Sequence, residues 1–344
     1  MTSGRFILMG TGTSGGMPLI ACDCATCTSD DPRDRRTRAA GCVQWIDGAG
    51  KPRCVLIDAG PDLHEQALRH GLWRCDAIVF THNHVDHIFG LDEVRRFNAV
   101  MRRPIDILAE PYVLESLRRV YKHVFDRSAN VNDSFVATLI QREVHAPEER
   151  GGAGAAVELW GMRFTPIRLF HGRLPVLGWR VEPTAALRGA AGGEGEEWPW
   201  PVAYCTDVSS IPTESWRAFE GVRTLVLDAL RFRHHPTHFT VDQAVDAALR
   251  IGARRTYFTH MSHEVRHAEV DPTLPEGIAL GYDGLVLGSL GEAGERAFAE
   301  DRARLAASVR KLDPGGRAGS AGREGMGETG AGAGEGARSS FDQV

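Results

Sequence analysis

Directly after the apolar run Ala77 to Phe80 the chain reads Thr81-His82-Asn83-His84-Val85-Asp86-His87, so four metal-binding side chains crowd into six positions. A buried strand that ends in this way delivers all four to one strand-to-loop corner. Imidazole and carboxylate are ligands of zinc, manganese or iron. The alternating His82 and His84 can reach one ion while Asp86 and His87 turn towards a second, so one segment can serve two ions. A fold that uses such a corner must bring further ligands to the same edge. His171 follows the run Phe164 to Phe170, Asp207 ends Pro-Val-Ala-Tyr-Cys-Thr-Asp, and His260 ends Arg-Thr-Tyr-Phe-Thr-His. Each stands where an apolar run meets a loop, a usual place for functional groups.

The rest of the chain suits an α/β architecture. Short β-type runs recur at Arg5 to Met9, Cys54 to Asp58, Ala77 to Phe80, Val202 to Thr206, Thr224 to Asp228 and Thr256 to Thr259. Amphipathic stretches lie between them, the clearest being Val241 to Arg250, where Val241, Ala244, Val245, Ala248 and Leu249 share a helical face. This pattern places one working domain over residues 1–290, a charged C-terminal helix over 291–312 and a Gly-rich disordered tail over 313–344. Ala185 to Glu197 reads as a flexible excursion. No stretch is long enough to span a bilayer, and Met1 to Gly16 is too short and too soon glycine-rich for a secretory signal. The expectation is a cytoplasmic protein without a membrane partner.

A net charge of −5 argues against nucleic acid as a partner, because phosphate contacts call for an excess of Lys and Arg. Small molecules are the better substrates. Of the seven cysteines, Cys22, Cys24 and Cys27 crowd together while Cys42, Cys54, Cys75 and Cys205 stand singly in apolar surroundings. In a reducing compartment that cluster reads as a metal site more than as disulfides. The glycines of Gly10-Thr11-Gly12-Thr13-Ser14-Gly15-Gly16 lack the Lys-Ser/Thr ending of a phosphate-binding P-loop and read as a tight turn. Arg33, Arg35 and Arg36, in a charged run, are candidates for collecting a phosphorylated substrate.

In these ligands and their order the sequence resembles the metallo-β-lactamase superfamily, whose pattern is His-x-His-x-Asp-His followed by a His, an Asp and a final His. The resemblance implies an α/β metallo-β-lactamase fold, a four-layer αββα sandwich with two divalent metals, zinc or manganese. It gives the first ion His82, His84 and His171 and the second Asp86, His87 and His260, with Asp207 bridging both. Asp58, in Leu-Ile-Asp-Ala-Gly-Pro-Asp, resembles the family's carboxylate that supports the histidine ligands.

A narrower likeness runs from Met9 through Cys22, Cys24 and Cys27, the DPRDRRTR run, THNHVDHIFGLDEVRRFN, the Leu-Phe-His-Gly around His171, LDALRFRHHPTHFT and FTHMSHE, to about Tyr282. Here the chain resembles the phosphoribosyl cyclic phosphodiesterases of phosphonate breakdown. That likeness implies a structural zinc held by Cys22, Cys24, Cys27 and His263. It also implies that His238, rather than the neighbouring His234 or His235, protonates the departing oxygen. The implied reaction opens 5-phosphoribosyl 1,2-cyclic phosphate, a small phosphorylated sugar, to ribose 1,5-bisphosphate with a two-metal-activated hydroxide. The family tends to dimerise, so a homodimer is expected. Rival activities on the same fold are a thiolester hydrolase of the glyoxalase kind, which does not need His238, and a transfer-RNA 3′-processing nuclease, whose pattern lacks the cysteine cluster. A non-catalytic relative, like the pyrroloquinoline quinone biosynthesis protein, would have lost ligands that are all present here.

Overall fold

A computed structural model describes residues 4–131, 134–146, 155–189 and 198–310. The first half of the chain supplies β1 (Gly4–Gly10), β2 (Ala40–Ile46), β3 (Pro52–Ile57), β4 (Ala77–Val79), β5 (Ile105–Ala109) and β6 (Leu139–Glu143). The second half supplies β7 (Val157–Leu159), β8 (Met162–His171), β9 (Leu174–Pro183), β10 (Val202–Cys205), β11 (Thr224–Asp228), β12 (Arg255–Thr259), β13 (Ile278–Leu280) and β14 (Val286–Ser289). Two sheets result, one ordered β14-β1-β2-β3-β4-β5-β6 and the other β13-β12-β11-β10-β9-β8-β7. Each combines antiparallel and parallel pairing: β3 to β6 run parallel in the first, and β10 to β13 in the second.

Alternation along the strands explains the layers. In β3, Val55 and Ile57 face the other sheet, where they join Phe6, Trp45, Phe164, Trp179 and Tyr204 in one core. Cys54 and Leu56 face the opposite way, into a second core that the helices around Leu63, Phe97, Leu114 and Leu117 cover. The second sheet repeats the scheme, with Leu225 and Leu227 of β11 packed against Val241, Ala244 and Ala248. A strand covered on both faces has no polar side, which is why β3 reads as an unbroken apolar run from Cys54 to Ile57. The architecture is therefore the αββα sandwich expected from the sequence.

Several local expectations change. The helix Val241–Ile251 begins at a Thr240–Gln243 capping box and stops at Gly252, which adopts φ +68. It buries Val241, Ala244, Ala247 and Ala248, whereas Leu249 is exposed. At 100° per residue Leu249 falls well away from a face centred on Ala244, so its apolar character was a poor guide. Ala185–Gly189, expected to belong to a flexible excursion, is a short helix; residues 190–197 lie outside the described residues, as does the expected Gly-rich tail 313–344. Cys42 and Cys54 are not isolated, since their sulfurs lie 3.4 Å apart across β2 and β3. The C-terminal helix Gly291–Arg310 is held on the first sheet by Arg74 on Asp301, Arg302 over the Trp73 ring and the buried Leu305.

Candidate metal centre

The parallel strands of both sheets end at one edge of the sandwich, and the candidate ligands stand at those ends. Asp58 follows β3, His82 to His87 follow β4, His171 closes β8, Asp207 lies just beyond β10, Asp228 ends β11 and His260 follows β12. Three of these residues turn their side chains inward by adopting the left-handed backbone region: Asp58 at φ 65, Asp207 at φ 56 and His260 at φ 58. Non-glycine residues rarely do so, and each costs on the order of 1 kcal/mol, which the surrounding structure offsets.

Asp86 and His87 ride on a single helical turn, Val85–Ile88, pressed against the Asp58–Gly60 loop. The contact is backbone on backbone: Ala59 N donates to His87 O at 2.8 Å and Gly90 N to Ala59 O at 2.8 Å. A Cβ at Gly60 would lie 2.1 Å from Asp86 O, and one at Gly90 would lie 1.9 Å from Gly60 O. A main-chain carbonyl cannot swing aside as a side chain can. Gly60→Ala is therefore expected to destabilise the protein by about 1–3 kcal/mol, with a lowered melting temperature and reduced metal retention after dialysis as the readouts.

Two ligand sets converge. His82, His84, His171 and Asp207 form one and Asp86, His87, Asp207 and His260 the other, each with its ligand atoms within 4.8 Å of one another. His87 Nε2 lies 3.2 Å from both Asp86 Oδ2 and Asp207 Oδ2, and His260 Nε2 lies 3.3 Å from Asp207 Oδ1. Atoms bound at about 2.0–2.1 Å to one tetrahedral ion stand roughly 3.3 Å apart, so these spacings suit a shared cation.

Hydrogen bonds fix which nitrogen each ring presents. Asp58 accepts from Thr81 N and Thr81 Oγ1, both at 2.8 Å, and from His87 Nδ1 at 2.8 Å. Because Thr81 Oγ1 spends its proton on Asp58, it can only accept from His82 Nδ1, 3.0 Å away. Thr237 O accepts from His171 Nδ1 at 2.6 Å. All three rings are thereby held with Nδ1 as a donor and Nε2 turned to the ligand sets, the usual support for a histidine ligand. His82 Nε2, His87 Nε2 and both nitrogens of His260 are buried without a hydrogen-bond partner. Such groups are rare in a protein interior unless something else satisfies them.

The charge balance points the same way. Asp58, Asp86, Asp207 and Asp228 are all buried, and among the described residues their ion-pair partners are histidines alone. Burial opposes charge on His87 and His260. The surrounding carboxylates together outweigh it, Asp207, Asp58 and Asp86 at His87 and Asp207, Asp86 and Asp228 at His260, and lift His260 to about 9 and His87 well above its ordinary range. Burial dominates at His82 and His171, which are pushed down. An excess of buried negative charge that histidine protons must neutralise is what divalent cations would neutralise better.

His238 sits beside this cluster. Its ring stacks on His260 at 4.7 Å and meets His171 edge-on at 4.4 Å, while Nδ1 lies 2.7 Å from Asp228 Oδ2. Of the three neighbouring histidines, His234 is exposed, His235 half-buried and His238 buried. Asp228, which also accepts from Val208 N at 2.6 Å, is a functional group that sequence reading missed. It stands in the LDALRFRHHPTHFT motif, ten residues before His238, but at the end of an apolar strand nothing local marks it as that histidine's partner.

The cysteine cluster closes a separate site. Cys22, Cys24, Cys27 and His263 converge, with His263 Nδ1 3.3 Å from Cys22 Sγ and 3.5 Å from Cys24 Sγ. The Cys27 backbone N–H on Cys24 Sγ is the main cause that lowers the Cys24 thiol to about 6, in spite of some burial, while burial pushes Cys27 up to about 11. A closed set of three sulfurs and one imidazole is the donor chemistry of structural zinc. The glycine-rich Gly10–Gly16 segment is tied to the same region: Met261 N donates to Thr11 O, and Thr13 N to Met261 O. Arg36 is not available to a substrate. It is fully buried, paired with Asp34 and bonded to the Ser262 and Val265 carbonyls. Arg33 is taken by Asp31.

Strand ends that gather two His/Asp sets, buried except for the exposed His84, around one shared carboxylate define a metal-dependent hydrolase. The chain belongs to the metallo-β-lactamase superfamily, as residues 53–261 match the family model described as the beta-lactamase superfamily domain. Within it the chain is PhnP-like: it is 38% identical to a diphosphatase from the PhnP family of known crystal structure, over 83% of this chain and 97% of that one, with a TM-score of 0.68. It is also 35% identical to an octanoyltransferase of Porphyromonas gingivalis over 82% of this chain, but spans only about half (51%) of that relative's length. A coenzyme PQQ synthesis protein B of Methylobacterium nodulans is 28% identical over 64% of this chain and 71% of its own. No helix among the described residues is long and apolar enough to cross a membrane.

Proposed function

We propose that the protein is a metal-dependent phosphodiesterase that opens 5-phosphoribosyl 1,2-cyclic phosphate to ribose 1,5-bisphosphate. The observation that carries this reading is the pairing of two converging ligand sets with a third, hydrogen-bonded dyad, Asp228 and His238, lying against them. In the proposal His82, His84 and His171 would hold one ion and Asp86, His87 and His260 the other, with Asp207 available to both sets. Bound divalent ions, zinc or manganese, supply a polarised water and neutralise charge on the phosphoryl oxygens. Asp58 holds His87 in place throughout. Asp228 accepts the Nδ1 proton of His238, so that Nε2 is the position from which a proton is handed on. As the oxygen of a hydroxide bonds to phosphorus, the bond from phosphorus to the sugar 2-oxygen breaks and protonated His238 gives its Nε2 proton to that oxygen, so that the hydroxide and this proton together make up the water consumed. Phosphoryl transfer asks for positioning and charge stabilisation more than for a covalent nucleophile, and these residues supply both.

A diphosphate is the second reading, because the relative that shares 38% of its residues over nearly its whole length is named a diphosphatase. Parallel assays on 5-phosphoribosyl 1,2-cyclic phosphate, a nucleoside diphosphate, a thiolester and a transfer-RNA precursor, with enzyme loaded with zinc or manganese, separate the readings. Rapid metal-dependent opening of the cyclic phosphate upholds the first. Turnover of another substrate with none of the cyclic phosphate overturns it.

Cys22, Cys24, Cys27 and His263 hold a structural zinc in this proposal. Cys24→Ser is expected to remove one zinc equivalent and to lower the melting temperature by more than about 5 °C. Metal analysis that finds equal zinc in the variant and the parent would sink that assignment.

A further inference from the structure

The proposed substrate carries a second phosphate away from the reacting one, and the ring of ligands offers it nothing. The turn between β8 and β9 does. His171 pairs with Leu174 across the hairpin, so the turn is the two residues Gly172 and Arg173. It is held firmly: Gly172 N donates to Ser209 Oγ at 2.8 Å, His171 Nδ1 donates to Thr237 O, and a Cβ on Gly172 would meet the Thr237 methyl at 2.8 Å. Arg173 thus stands at a fixed place two residues from a candidate ligand, beside the loop that bears His238. Its side chain is exposed, and among the described residues no hydrogen bond or ion pair holds it.

Three other arginines are already matched. Arg231 and Arg233 share Glu264, and Arg38 is paired with Asp62. The same mouth has a second oriented donor. Thr237 N donates to His235 Nδ1 at 3.4 Å, with Thr237 Oγ1 3.1 Å from the same nitrogen, which places the His235 proton on Nε2. The His235 ring lies 5.1 Å from that of His238. A guanidinium is a strong phosphate donor, and an imidazole N–H whose tautomer is set by its neighbours adds a directed hydrogen bond.

We infer that Arg173, assisted by the Nε2–H of His235, binds the non-reacting phosphate and makes the enzyme selective for substrates with a second anionic group. The inference rests on the proposed phosphodiesterase reading, and its test is chosen to keep the two apart. Arg173→Ala, Arg173→Lys and His235→Ala would be compared with the parent for kcat and KM on 5-phosphoribosyl 1,2-cyclic phosphate and on the same cyclic ester without the 5-phosphate. Ribose 5-phosphate would serve as a competitive inhibitor of bis(p-nitrophenyl) phosphate hydrolysis, and metal content would be measured throughout. The expected result is a tenfold or greater rise in KM for the 5-phosphorylated ester in Arg173→Ala, loss of its preference over the unphosphorylated ester, and a matching rise in the ribose 5-phosphate inhibition constant. Arg173→Lys should recover part of each, and His235→Ala should raise the same constants by a smaller factor. Unaltered preference and inhibition constant in Arg173→Ala, with full metal content, overturn the inference. If the parent leaves the cyclic ester untouched while ribose 5-phosphate inhibition still depends on Arg173, the anion subsite stands and the substrate assignment falls.

Discussion

Asp207→Ala is expected to abolish hydrolysis, with a loss of at least about 10³-fold in kcat/KM, and to lower the divalent metal content of the purified protein. The carboxylate belongs to both ligand sets and lies within 3.3 Å of His87 and His260. Its removal also leaves those two imidazoles facing one carboxylate fewer in a buried site. An oxygen shared by two ions does more than either terminal ligand, since it fixes their spacing as well as their affinity. Metal analysis beside steady-state kinetics checks this. Full metal occupancy with full turnover in the variant would remove Asp207 from the centre.

His238→Ala should behave differently. Because His238 lies beside the ligand sets and its Nδ1 is engaged by Asp228, the variant is expected to keep all its metal. It should lose about 10²–10⁴-fold in kcat on an alkyl leaving group, the range for a positioned general acid. On bis(p-nitrophenyl) phosphate, whose leaving oxygen needs little protonation, the loss should be much smaller. Equal losses on both substrates would assign His238 a structural part. A thiolester hydrolase would not show the contrast at all, since a thiolate departs without a proton.

Much of the site could be read before any fold was known, because the chain concentrates it. His82, His84, Asp86 and His87 lie within one turn of a strand end, and His171, Asp207 and His260 each close an apolar run. Short apolar runs interleaved with amphipathic stretches gave the α/β class, while the four layers came from the resemblance that the ligand order carries. The misses share a cause too. Helical spacing was read too broadly at Leu249, which stands about 140° from Ala244 at 100° per residue, and Arg36, a candidate for substrate only through its neighbours in sequence, lies buried against carbonyls more than 200 residues away. The contacts of Asp228 with His238 and of Gly60 with Asp86 left no local mark, although both residues stand in quoted motifs, since a strand-ending aspartate and a loop glycine are common in any α/β protein.

The sequence by itself determined the chemistry of the ligands and the strand ends at which they stand, because covalent order and apolar periodicity are local properties. Only the tertiary structure decided which candidate ligand atoms come within reach of one another, that Asp58 orients His87 from 29 residues away, and that His238 rather than His234 lies against His260. Those relations depend on how two sheets are registered and on three side chains turned inward by left-handed backbone at Asp58, Asp207 and His260. Burial and through-space distance are set by the packed whole, and no stretch of the chain carries them alone.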